Sequence, residues 1–148
     1  MPFQRTAYAE VVADVIARLA DAGLDYTWVG LQPSQQMWLG DYQIVIKPEA
    51  AQVDEGSTTG TGTGGTLVRR PVALSIMSRS YQDEAERATQ ALYDHLAREE
   101  QILTALHLYM PSSVVEPIRL ARAEPPAQGN GVISSVLVFE CLYAALLQ

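Results

Sequence analysis

The sequence predicts an α+β fold: a mostly antiparallel sheet packed by an N-terminal helix and one long helix. Three observations carry this. Tyr8, Val11, Val12, Val15, Ile16 and Leu19 repeat with the period of a helix face. The stretch from Tyr81 to Met110 contains neither Gly nor Pro and has a second helical stripe. Between and beyond these lie short runs rich in β-branched and aromatic residues, bounded by Gly and Pro.

Taken in order, Thr6 is placed to cap a helix over about Ala7 to Ala22, and Gly23 sits where a left-handed C-terminal cap belongs. Leu24 to Leu31 reads as a short strand, and Gln32 to Gln36 as a loop. Trp38 to Lys47 is strand-like and limited by Pro48, with Ala50 to Val53 continuing it after a bulge. Leu67 to Met77 is the next strand, because Val72, Leu74 and Ile76 alternate with Ala73, Ser75 and Met77. Ser80 is the expected cap of the long helix, with Pro111 as its stop. Its stripe is Ala85, Ala88, Leu92, Leu96, Leu103, Leu106 and Met110, and Glu99 interrupts it, which predicts a kink or split. That stripe places Leu92 in the core, so Leu92→Asp is expected to destabilise strongly by burying an unpaired charge. A strand with Pro117 inside it is expected over Val114 to Ala123, followed by a turn cluster from Glu124 to Gly131. Val132 to Tyr143 closes the chain as the most apolar strand. One of its faces carries Ile133, Leu137, Phe139, Cys141 and Tyr143. The other carries Val132, Val136, Val138 and Leu142, and calls for a second layer or another subunit.

A chain of 148 residues fits one domain, residues 1–148. Asp54 to Thr66 has no apolar side chain and links two strands, so it is expected to project as a long hairpin loop. Ten basic residues against seventeen acidic give a formal charge of −7, which argues against a duplex-DNA binder. An acidic wall is compatible with DNA that merely passes. The single cysteine, Cys141, excludes a disulfide within the chain. No apolar run approaches the roughly 20 residues needed to span a bilayer, and Met1 to Glu10 has no signal-peptide core, so folding in a cytoplasm is expected.

Catalytic chemistry finds little support. The Gly/Thr run leads into Leu67-Val68-Arg69, a strand without the helix and lysine that a phosphate loop requires. His95 and His107 have no His or Cys partner at helical metal-ligand spacing and read as surface or partly buried side chains. Cys141 reads as a small hydrophobe in its strand. No catalytic residue, cofactor, metal site or small-molecule substrate is expected, and the three residues are expected to be dispensable for assembly apart from packing at Cys141.

The order helix, strands, long loop, strand, helix, strand, strand resembles the tail terminator proteins of long-tailed bacteriophages and gene-transfer particles. The resemblance is distributed over Tyr8–Leu19, Tyr42–Ile46, Arg70–Ile76, Leu96–Pro111, Pro117–Leu120 and Val136–Glu140. It implies a structural virion protein, forming a homo-hexameric ring at the head-proximal end of the tail. Its partners are then the tail tube protein and a neck or head-completion protein, with DNA only as passing cargo and no membrane. The surfaces expected to assemble are the loop Asp54, Glu55, Gly56, Ser57, Thr58, Thr59, Gly60, Thr61, Gly62, Thr63, Gly64, Gly65 and Thr66, its root Arg69 and Arg70, and Val136 and Val138 on the final strand. Another neck protein, a small ligand-binding or regulatory α+β domain, and an enzyme of unrecognised type are the alternatives.

Overall fold

The structure is a computed structural model that describes residues 6–25, 27–30, 41–53, 65–81 and 84–146. The elements run α1 (Ala7–Asp21), β1 (Thr27–Val29), β2 (Tyr42–Pro48), β3 (Gln52–Val53), β4 (Gly65–Arg79), α2 (Ala85–Leu106), β5 (Arg119–Gly129) and β6 (Val132–Leu146). The sheet order is β1-β2-β4-β6-β5, with β3 also on β4. Only β1 pairs in parallel, with β2; every other pairing is antiparallel. This is the expected α+β fold.

α1 begins as its sequence dictates: the Thr6 hydroxyl accepts from the Ala9 N–H at 3.2 Å. Its end uses Gly23 at φ +87, the left-handed conformation that favours glycine. Val11, Val15 and Leu19 are fully buried against the sheet. Beneath them lie Ile44, Ile46, Val72, Leu74, Ile76, Leu137, Phe139 and Cys141, all from one face of β2, β4 and β6.

β4 contains Pro71, although a proline lacks the N–H that an interior strand needs. The ladder shows how it is accommodated. Pro48 pairs with Val72 and Gln52 with Arg69, so Glu49, Ala50 and Ala51 bulge opposite Arg70 and Pro71. A strand residue points its N–H and C=O to the same side. The Pro71 carbonyl accepts from the Tyr8 hydroxyl at 3.0 Å rather than from a ladder, which puts the missing N–H at the bulge.

α2 departs from expectation in four ways. It runs unbroken past Glu99, and it ends at Leu106, short of Met110. The chain turns at Leu108, φ +66, whose N–H donates to the Ile118 carbonyl, while the Ile118 N–H donates to Tyr109. That strand-like pairing, not Pro111, stops the helix. It starts at Ala85 with Glu84 as its uncapped boundary, and the Ser80 N–H is instead tied to the Gly131 carbonyl. The buried line is His95, Ile102, Ala105 and Leu106. The predicted stripe holds at Leu103 and Leu106, but Leu92 is 38% exposed, Leu96 37% and Met110, beyond the helix, 56%.

The last two strands form a hairpin with a two-residue turn. Asn130 and Gly131 have φ of +54 and +74, the pairing that suits the right-handed twist of flanking strands. The expected loop from Glu124 onward is therefore mostly strand. β5 accommodates Pro125 and Pro126 because it is an edge strand whose register shifts between Glu124 and Ala127. Pro117 lies before it.

Core truncation separates the two classes of leucine. Leu74→Ala is expected to cost about 2–5 kcal/mol. Leu92→Asp is expected to shift stability by no more than about 0.5 kcal/mol, as at an ordinary surface position. Urea unfolding of both variants checks this; a large loss at Leu92 would restore it to the core.

Candidate assembly surfaces and the buried histidine network

At the root of the long loop, Gly65 and Thr66 belong to β4 and pair with Leu146 and Ala145. Residues 54–64 lie outside the described residues. β3 and β4 flank them as an antiparallel pair, so the hairpin topology holds. Arg69 reaches Glu116 at 3.0 Å and Glu140 at 3.5 Å on the sheet face opposite the helices. It thereby ties the segment before β5 to the centre of the sheet, helped by the Val115 N–H donating to Leu142. Arg70 points to the helix side. Its Nε donates to the Glu49 carbonyl at 2.6 Å, and its guanidinium stacks on Tyr8 with 3.9 Å to the ring centroid. The two adjacent arginines thus serve opposite faces, and both hold the loop root in place.

Val136 is half-buried and Val138 buried, on the same face as Val45, Ala73 and Met77. On that second face Val45 is 0% exposed and Ala73 3%, whereas Arg69 and Glu140 are about a third exposed.

A polar network absent from the sequence reading lies under α2. His95 is fully buried between two serines of neighbouring strands. Arg98 Nη1 donates to Ser78 Oγ at 3.1 Å, and Ser78 Oγ also shares a hydrogen bond with His95 Nδ1 at 2.7 Å. His95 Nε2 shares a second with Ser135 Oγ at 2.8 Å. The two bonds pin α2 to both β4 and β6. Arg98 also stacks on Tyr42 of β2, at 4.4 Å. Burial, reinforced by the Arg98 charge, lowers the His95 pKa to about 4. Ser78, His95 and Ser135 are all buried. The sequence held one usable signal: Ser78 and Ser135 stand among apolar neighbours on strands, where a buried hydroxyl requires a partner.

The other titratable groups raised as candidates fare similarly. Burial pushes the Cys141 thiol up to about 12, with Glu140 adding to it, which makes the thiol unreactive. His107 Nδ1 accepts from the Leu120 N–H at 3.2 Å and helps close the turn after α2. Among the described residues no group of three or more His, Cys, Asp or Glu is placed to hold a metal ion. No described helix is long and apolar enough to cross a membrane.

Comparison with solved structures finds 25 chains of similar fold. The chain is similar to a chain from the "Virion of native gene transfer agent (GTA) particle". The TM-score is 0.54 with 14% identity, covering 95% of this chain and 92% of that one. The two share a fold over nearly their whole lengths. No protein-family profile and no curated protein sequence matches this chain.

The His95 network makes a pH-dependent prediction. A neutral imidazole in the fold with a pKa of about 4, against 6.5 when unfolded, means the unfolded chain binds the extra proton first. Stability from this group is complete above pH 6.5 and is lost as pH falls toward 4, by about 1.4 kcal/mol per pH unit. Urea unfolding across that window should show the slope in the wild type and a flatter one in His95→Gln. Equal slopes would remove His95 as the source.

Proposed function

We propose that this chain is a structural virion protein of the tail terminator type. In this reading it forms a hexameric ring on the head-proximal end of a tail tube, ends tube polymerisation and offers a docking face to the neck. The observation that carries the reading is the fold shared end to end with a chain of a gene transfer agent virion. The acidic balance supports it, since a −7 protein around a bore repels passing phosphate rather than binding it. The chemistry supports it too: the described serine–histidine contact is buried, and the cysteine is held protonated.

Within this reading the loop at 54–66 is an assembly arm. Its six Ser and Thr residues hydrogen-bond but cannot collapse, and its five glycines make ordering costly, about 1–2 kcal/mol per residue for the backbone. A neighbouring subunit or the tube offsets that cost through strand-like pairing. Arg69 and Arg70 hold the base of the arm rigid on two faces of the sheet.

The test is tail length. Co-expression with the tail tube protein encoded in the same genome should give capped tubes of uniform length, with this chain at one end by electron microscopy. Replacing residues 56–64 with a two-residue turn leaves β4 whole. That variant should keep its melting temperature yet yield over-long tubes. Normal capping by the shortened variant would eliminate the arm. Uncapped tubes in the presence of the wild type would eliminate the terminator role.

A further inference from the structure

β5 is the free edge of the sheet, and residues 121–129 are exposed throughout. It carries two cations, Arg119 and Arg122, and one carboxylate, Glu124 opposite Val136, for a net charge of about +1, and the register places all three on one side. Arg119 pairs with Glu140 and Arg122 with Val138, two residues on the same face of β6. Three positions apart on a regular strand, the two arginines would point to opposite faces. The register shift between Leu120 and Arg122 brings both to one side. Among the described residues neither has an ion-pair partner.

The helix layer holds the complementary feature. Where α1 meets α2 there is an open groove of about 610 Å³. Its lining includes the small side chains of Ala22, Ala97 and Ala105 and the exposed carboxylates Asp21 and Glu100. Its one arginine, Arg18, is already committed: Nε donates to the Ala105 carbonyl at 3.0 Å, and the guanidinium stacks on Tyr109. Among the described residues neither Asp21 nor Glu100 has an ion-pair partner.

We propose that this groove receives the β5 edge of a neighbouring copy, with Arg119 and Arg122 reaching Asp21 and Glu100. Charge complementarity selects the occupant: in a chain of net charge −7, copies repel unless an exposed basic edge meets an acidic recess. Pro125, Pro126 and the two register shifts spoil β5 as a template for another strand, so it docks through side chains rather than by extending the sheet. Its alanines fit a groove walled by small residues. A sheet edge meeting a helix-layer groove is a heterologous contact, which propagates around a closed ring. The inference rests on the proposed ring and supplies the contact that builds it.

Charge reversal tests it. One variant carries Arg119→Glu and Arg122→Glu, the other Asp21→Arg and Glu100→Arg; melting curves confirm that each folds. Native mass spectrometry should show multimers in the wild type and association at least about tenfold weaker in each variant alone. Mixing the two variants should restore multimers of alternating composition, because each edge then meets a groove of opposite sign. Wild-type multimers with unimpaired variants, or variants that mixing does not rescue, would overturn this interface while leaving the ring intact. A wild type that stays monomeric with and without tube protein would overturn the ring reading, and this contact with it.

Discussion

The pairing of β4 with β6 is the constraint on which the rest of the molecule depends. It joins Gly65–Arg79 to Val132–Leu146 along the full length of both strands without a register shift. Because side chains alternate across a sheet, this one register puts Val72 beside Phe139 and Leu74 beside Leu137 under the helices. A slip by one residue would turn both core rows outward. It also brings Ser78 and Ser135 to where His95 reaches both, and it sets Glu140 within reach of Arg69. The position of α2, the anchorage of the segment before β5 and the root of the long loop all follow from the same ladder.

Much of this was legible in the residues. The two-fold alternation of Val72, Leu74 and Ile76 gave β4, and Thr6 with Gly23 bounded α1 nearly to the residue. The second strand and its continuation across a bulge were also readable, because β2 ends at Pro48 and pairing resumes at Gln52. α2 shows where local pattern stops being enough. Leu92 and Leu96 look like core at helical spacing, yet a histidine occupies the buried line instead. The floor beneath that part of the helix is serine from two strands, so a polar side chain bonds there better than leucine. Periodicity identifies a stripe, but only the partner surface decides which stripe is buried. The turn near Glu124 misled for a related reason: two prolines usually end a strand, but β5 pairs only with β6 on its inner side, and its register shift there accommodates them.

The assembly surfaces divide along the same line. Arg69 and Arg70 were singled out by charge at the base of a loop. Their split to opposite faces is a consequence of strand geometry that holds for any adjacent pair. Arg119 and Arg122 could not be paired from sequence, since only the register shift brings them to one side of β5. The groove joins residues of α1 and α2 that are far apart in the chain, and no spacing rule connects them.

The long ladder also has a consequence in time. The longest partner of β4 is β6, which follows it in the chain only after the whole of α2 and β5. Until β6 emerges, β4 has only β2 and β3 at its side, and the row Val72, Leu74 and Ile76 has no Phe139 or Leu137 beside it. From the end of β4 until β6 is made the nascent chain therefore carries an open apolar strand, and topology of this kind closes slowly. The sheet is thus completed only by β6, after both helices and the other five strands have been made.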